Sequence, residues 1–332
     1  MSEPIARRRK RLAVPATPKS WRHLVVEGRS PLLVIRAPFM IGLAVVALTT
    51  PGFLSRPSIL ALLTTVSFIG CVAAGMTLIT LSGNIMSFSL GAIVGATAMI
   101  FTAAINWGGL AFGFAAALTA GALLNAAQGF VVGWAGANPI VVSIAALSLV
   151  YGAVEAVGAD GTIYARAGVS YGLFKGGIAG IPVEFVMFLC VTAIGQLILL
   201  FTVFGRNLYM VGGSLRAAEA VGVRTWRTIS GAYLWAGVFS ALAGIMLAIR
   251  YDSASMDFGA GYEYEAIAAV LVGGTVVKGG EGSVVRTLAG ALIIAIIQVV
   301  LLLKGLRQEW QYLLAGLIVL AVVVLQTRGT RD

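Results

Sequence analysis

Long apolar runs, separated by short glycine-bearing or basic breaks, recur from about residue 37 to residue 326. A helix that crosses a bilayer needs about 20 mostly apolar residues. Windows of that size pick out about ten candidate spans. They fall near 37–51, 59–81, 86–105, 109–134, 139–157, 183–204, 228–249, 263–276, 286–303 and 311–326. The first and eighth are short, and the eighth ends in Gly273 and Gly274. The pattern predicts an all-α fold, a polytopic transmembrane helical bundle. A weaker pattern repeats inside it. Gly83–Ala98 and Gly259–Gly274 each place a polar, glycine-containing entry before a helix of small residues, as in transporters built from related halves with broken helices.

Basic positions orient the stack. Arg7, Arg8, Arg9, Lys10 and Arg11 open the chain, and Pro15, Pro18, Pro31 and Pro38 interrupt the stretch after them. Residues 1–36 therefore read as a basic, partly disordered cytoplasmic tail rather than a cleaved signal peptide. The 205–227 loop carries Arg206, Arg216, Arg224 and Arg227, the loop after the seventh span holds Asp252 and Asp257, and the end carries Arg328 and Arg331. About ten crossings put both termini and the 205–227 loop in the cytoplasm, as the positive-inside rule asks. The 158–182 loop, placed outside, is an exception with Arg166 and Lys175. The domain plan is thus a tail over 1–36, one transmembrane domain over 37–328 and a C-terminal tail over 329–332. Within the 205–227 loop, Leu215–Val221 reads as a short helix stopped by Gly222.

Composition agrees with a lipid environment. Hydrophobic residues make up 59% of the chain and charged residues 11%, too little polar material to cover a soluble fold. The net charge of +10 raises nucleic-acid binding, but its confinement to the tail and short loops fits membrane topology instead. Cys71 and Cys190 lie in apolar runs and read as small hydrophobes. The single histidine, His23, lies in the tail, so no Ser-His pair, catalytic residue or metal site is expected. No cluster of His, Asp or Cys at one depth favours a membrane-embedded enzyme. The stretch from Gly273 to Ser283 fails as a phosphate loop, because Lys278 precedes its glycines and Glu281 stands where the lysine belongs. It reads instead as a helix break, with Gly273, Gly274, Gly279, Gly280 and Gly282 as hinge candidates.

Polar residues inside spans are costly unless they are paired or face a cavity. Asn84, Ser87, Ser89, Asn125, Gln128, Asn138 and Gln298 are therefore candidates for a solute pathway, with interhelical hydrogen bonding as the ordinary alternative. Apart from Glu155 and Glu265 near span ends, full charges avoid the apolar runs. That argues against a proton- or sodium-coupled carrier.

Several of these segments carry a family likeness. The run from Ala266 to Thr275 (AIAAVLVGGT), then Gly279, Gly280 and Gly282, then Thr287 to Ala291 (TLAGA), resembles the C-terminal signature of ribose-type ABC sugar permeases. Gly261-Tyr262-Glu263 precedes it as in that family. Gly212 to Ala218 (GGSLRAA) with Gly222 and Val223 resembles the family's cytoplasmic coupling segment, and Asn84, Ser89 and Gly91 fall in its polar glycine-rich stretch. The likeness extends from about Pro51 to Gln326. Departures accompany it: the family's E-A-A glutamate falls at Arg216, and the aspartate of its polar stretch at Met86.

The resemblance implies a multi-pass permease of the bacterial inner membrane that moves a small polar solute, sugar-like by its family. It would work with a second permease chain, identical or paralogous, two ATP-binding subunits and an extracytoplasmic solute-binding protein. ATP and magnesium would be used in the partner subunit, leaving this chain with no cofactor and no enzymatic reaction of its own. Arg216, Ala217, Ala218, Glu219, Gly222 and Val223 would form the coupling element. Permeases for branched-chain amino acids or nucleosides, and an ATPase-independent channel or secondary carrier, are the alternatives.

Overall fold

The computed structural model describes residues 49–157, 161–166, 171–175, 177–178 and 180–307, together with 46–47 and scattered positions from 309 to 320. The tails expected over 1–36 and 329–332, and most of the first and last predicted spans, lie outside the described residues.

The helices are α1 (Arg56–Leu81), α2 (Leu90–Ala135), α3 (Pro139–Ala156), α4 (Val183–Phe201), α5 (Val203–Gly213), α6 (Leu215–Ala220), α7 (Thr225–Tyr251), α8 (Tyr262–Gly273) and α9 (Val284–Leu303). Among the described residues, six of them (α1, α2, α3, α4, α7 and α9) are long and apolar enough to cross a membrane. The only departures from an all-helical fold among those residues are four two-residue strands, β1 (Ile163–Tyr164) paired with β4 (Ser253–Ala254) and β2 (Gly177–Ile178) paired with β3 (Ile181–Pro182).

The 46 residues of α2 are two helices in one. Gly109, at φ 78° and ψ −177°, interrupts the helical backbone. A methyl on Gly113 would meet Phe101 at 3.1 Å, and one on Gly121 would meet Thr97 at 3.2 Å. Those contacts pair positions on either side of Gly109, so the chain doubles back there. The third and fourth predicted spans are the two antiparallel arms of this hairpin.

α7 fills the groove between the arms. Its apolar and small residues run around the whole helix, the pattern of a buried element, and most of them are buried. Glycines set the spacing: a methyl on Gly237 would lie 2.8 Å from Asn125 Cβ. α1, α8 and α9 extend this core, and α3 lies at the periphery with Ser143 and Val150 as its buried residues.

The eighth predicted span is short, as the sequence indicates. α8 has 12 residues, about 18 Å of helix against about 30 Å of hydrocarbon. Its apolar composition continues to Val277, but Gly274, in the left-handed region at φ 87°, stops the helix early. Its start lies inside the fold. After α7, a 3-10 turn over Met256–Gly259 dips back to pack on Gly91 and Gly95 of α2. Glu263 and Glu265 in the first turn of α8 are both buried.

The connections sort into two ends. One end gathers Ser82–Asn84, the α2–α3 turn, α6 and Lys278. The other holds the Gly109 turn, the short strands and Asp252. There Asn106 accepts from Arg166 N at 2.8 Å and donates to Tyr164 O at 3.0 Å, and Lys175 pairs with Asp252.

Candidate functional site

Two broken helices meet inside the fold. Before α2, the chain runs from Gly83 to Ser89 without regular structure. The Ser89 hydroxyl donates to Gln128 Oε1 at 2.7 Å, which places Ser89 beside a residue seven positions from the end of the returning arm, about 10 Å in from that end. The break starting α8 arrives from the opposite side, and Gly259 and Glu263 pack directly on Gly91.

Four of the predicted pathway residues form one network here. Ser87 and Ser89 share a hydroxyl contact of 3.0 Å, Ser89 reaches Gln128, and Gln128 Nε2 donates to Asn125 Oδ1 at 3.0 Å. All four are buried, Ser87, Ser89 and Asn125 completely. The network ties the irregular entry to the second arm of α2. The Asn125 amide nitrogen and Glu263 Oε2 have no hydrogen-bond partner among the described residues. Phe88 lies between the two serines yet packs at the edge of the core, 6.2 Å from the ring of the half-exposed Tyr264.

Glycines bring three loops together at the α6 end. A methyl on Gly83 would lie 3.3 Å from Gly212 Cα, one on Gly279 2.6 Å from Gly83 N, and one on Gly280 2.8 Å from Gly213 Cα. Backbone touches backbone, as only side-chain-free residues permit. Gly280 N donates to Leu81 O at 3.1 Å, and the Tyr209 hydroxyl donates to Gly282 O at 2.8 Å. Burial holds the Tyr209 phenol above its ordinary range, so it stays a neutral donor. Of the predicted hinge set, Gly279, Gly280 and Gly282 lie at this junction. Gly273 packs against Arg286 and Thr287 of α9, and Gly274 ends α8.

α6 projects from the junction. Ser214 caps it by accepting from Ala217 N at 3.3 Å. Its stop is built by Gly222 at φ 83°, with Gly222 N donating to Glu219 O and Val223 N to Ala218 O at 2.9 and 3.0 Å, the expected left-handed termination. Arg216, Ala217, Glu219 and Gly222 are exposed, Val223 is half-buried and Ala218 is buried. A groove of about 590 Å³ runs between α5 and α6, lined by Arg206, Tyr209, Met210, Ala217, Ala218 and Val221 among others. Beside it, a cavity of about 870 Å³ is lined by Asn84, Asn138, Gly212, Glu219, Thr225 and Lys278 among others. Asn138 also caps α3, accepting from Ile140 N at 2.9 Å. Gln298, on α9, borders a separate polar cavity of about 380 Å³ with Thr64, Asp257 and Glu265. Among the described residues, no three His, Cys, Asp or Glu side chains converge as metal ligands.

Sequence reasoning overlooked Phe88, Glu263, Tyr264 and Tyr209 as members of these arrangements. The alternation of Glu263, Tyr264 and Glu265 was the one visible signal: two acids flanking an aromatic at a helix start.

Residues 58–323 match the family described as branched-chain amino acid transport system / permease component. The chain belongs to this family. The permease is 33% identical to the ribose import permease protein of Bacillus subtilis (strain 168) over 288 residues, 86% of this chain and 89% of that one. It is 30% identical over 312 residues to the ribose import permease protein of Haemophilus influenzae, covering 90% and 93% of the two chains. An inner membrane ABC transporter permease protein of Escherichia coli (strain K12) is 28% identical over 312 residues, 92% and 94% of the two. No solved structure matches. The chain is the membrane-spanning permease subunit of an ABC importer, a multi-pass inner-membrane protein.

Proposed function

We propose that this permease moves a small sugar-like solute inward, as one of two permease chains served by two ATP-binding subunits and an extracytoplasmic solute-binding protein. The relatives named for ribose import support the solute class, since the likeness to them covers nearly the whole chain. The α6 end faces the cytoplasm: Arg206, Arg216, Arg224, Arg227 and Lys278 gather there, as the positive-inside rule requires. Ten passages result, with both termini cytoplasmic. The two arms of α2 count separately, and the dip at Met256–Gly259 with α8 counts as the eighth. Residues 37–51 and 311–326 supply the first and last.

α6 is the coupling helix. Ala217 gives a flat contact for an ATPase cleft, Arg216 and Glu219 form its polar rim, and Gly222 and Val223 fix its end. ATP and magnesium stay in the partner subunit. One observation carries this reading: the neck of α6, Gly212–Gly213, is in backbone contact with both loops that lead to the broken helices. A displacement of α6 reaches Gly83 and Gly279–Gly280 without an intervening side chain. Asn84 and Asn138 line the inner mouth of the pathway. Ser87, Ser89, Asn125 and Gln128 hold the break in place behind the pathway wall.

The test is uptake of labelled D-ribose, D-galactose and D-fructose into proteoliposomes holding the permease, its ATPase and its binding protein. ATP-dependent accumulation of at least one is expected. Uptake that persists without the ATPase would instead identify a channel or carrier. The family's description keeps branched-chain amino acids as the second reading, favoured if leucine alone accumulates.

A further inference from the structure

We propose that Phe88 and Tyr264 form a surface that the solute touches along the pathway. The ligand class rests on the sugar-like reading proposed above, and the placement rests on the geometry of the two broken helices.

Non-helical backbone at membrane depth survives only where protein covers it or water reaches it. In this permease the irregular Gly83–Ser89 stretch, from the α6 end, leads into the part of α2 on which the 3-10 turn at Met256–Gly259 packs from the other. Where they meet the backbone is enclosed, with Ser87, Ser89 and Gly259 buried. Broken helices are also where transporters hold their solutes.

The side chains at this meeting point divide by direction. Met86, Ser87, Ser89, Glu263 and Glu265 turn inward and are buried, while Phe88 is half-buried at the edge of the core and Tyr264 turns outward with 52% exposure. Phe88, just before α2, and Tyr264, in the first turn of α8, bring two rings 6.2 Å apart at 60°. Behind them Glu263 is 8% exposed, packs on Gly91 at the first turn of α2, and has an Oε2 with no hydrogen-bond partner among the described residues. An exposed ring face suits a polyhydroxylated solute, whose C–H face packs on the aromatic. In a pair of permease chains, the same surface from the second copy would close the other side of the path.

Single cysteines at 88 and 264, in a Cys190→Ser background, test the placement in the assembled importer. Both should react with a charged, membrane-impermeant methanethiosulfonate, and cysteines at the enclosed Ser87 and Ser89 should not. Reaction at 88 and 264 with only an apolar maleimide would place the rings against lipid and overturn the proposal. No reaction with either reagent would place them in a subunit interface and overturn it equally. Contact with solute is read from uptake of labelled D-ribose, D-galactose and D-fructose. Phe88→Ala and Tyr264→Ala should lower uptake about fivefold to tenfold, with Tyr264→Phe near wild type. ATPase association should be unchanged in all three. Wild-type uptake in both alanine variants would overturn the proposal. If the wild-type importer takes up none of these sugars, the solute reading fails, and the labelling pattern still decides whether these rings line the path.

Discussion

Backbone-to-backbone contact makes single glycines testable with the smallest possible side chain. A methyl on Gly212 would overlap the Leu81 carbonyl oxygen and sit 2.5 Å from Gly280 N, whereas one on Gly213 meets nothing within 4 Å. Backbone cannot rotate away as a side chain can, so the overlap costs about 1–3 kcal/mol. Gly212→Ala is expected to cut ATP-driven uptake about tenfold or more, while Gly213→Ala, one residue along the same neck, stays near wild type. Equal activity of the two variants in proteoliposomes would remove the junction from the transport cycle. A second residue-scale expectation concerns the buried network. Gln128→Leu strips the partner from both Ser89 and Asn125, at about 1–3 kcal/mol for buried groups left unmade. Its thermal midpoint in detergent should fall by several degrees, further than that of Asn138→Ala, whose cap at an exposed position is worth about 1 kcal/mol.

Among the elements, α6 is the least self-sufficient. Six residues cannot hold a helix alone, so its two ends carry the burden: Ser214 at the start and Gly222, at φ 83°, at the stop. Gly222→Val forces a β-branched residue into the left-handed region and should release the helix, abolishing capture of the ATPase subunit in a pull-down. Gly222→Asn, which tolerates that region, should retain most of it. If the valine variant captured the ATPase normally, α6 would not be the docking element. This stop was legible in the sequence because a glycine after an alanine-rich hexapeptide has one local meaning. The gap at 106–108 was legible likewise, although a hairpin closed by Gly109 alone was not. The shortness of α8 and its end at Gly273 and Gly274 were legible; that it starts inside the fold was not, because apolar composition reports contact with oily surroundings and does not distinguish a lipid-facing span from a half-helix buried in protein. The polar character of Ser87 and Ser89 was plain. Their enclosure was not, because it depends on Gln128, 39 residues beyond Ser89, on an arm whose return only the fold defines.

At the scale of the whole molecule, the two ends should answer differently to thiol reagents. Cysteines at Asn138, Ser214 and Lys278 are expected to label from the cytoplasmic face, and cysteines at Trp107, Tyr164 and Lys175 from the opposite one. Mixed labelling within either group would break the sidedness on which the coupling assignment stands. The Lys175–Asp252 pair at the end away from α6 has both side chains 49% exposed and should contribute at most about 1 kcal/mol. The α2 hairpin bears on how the protein is made. One glycine, beside the 91% exposed Trp107, is all that separates its two arms, too little chain to let one settle across the bilayer before the other arrives. A nascent permease must therefore keep 46 oily residues waiting at the insertion machinery and release them together, which makes this hairpin the step of biogenesis most exposed to a charged substitution.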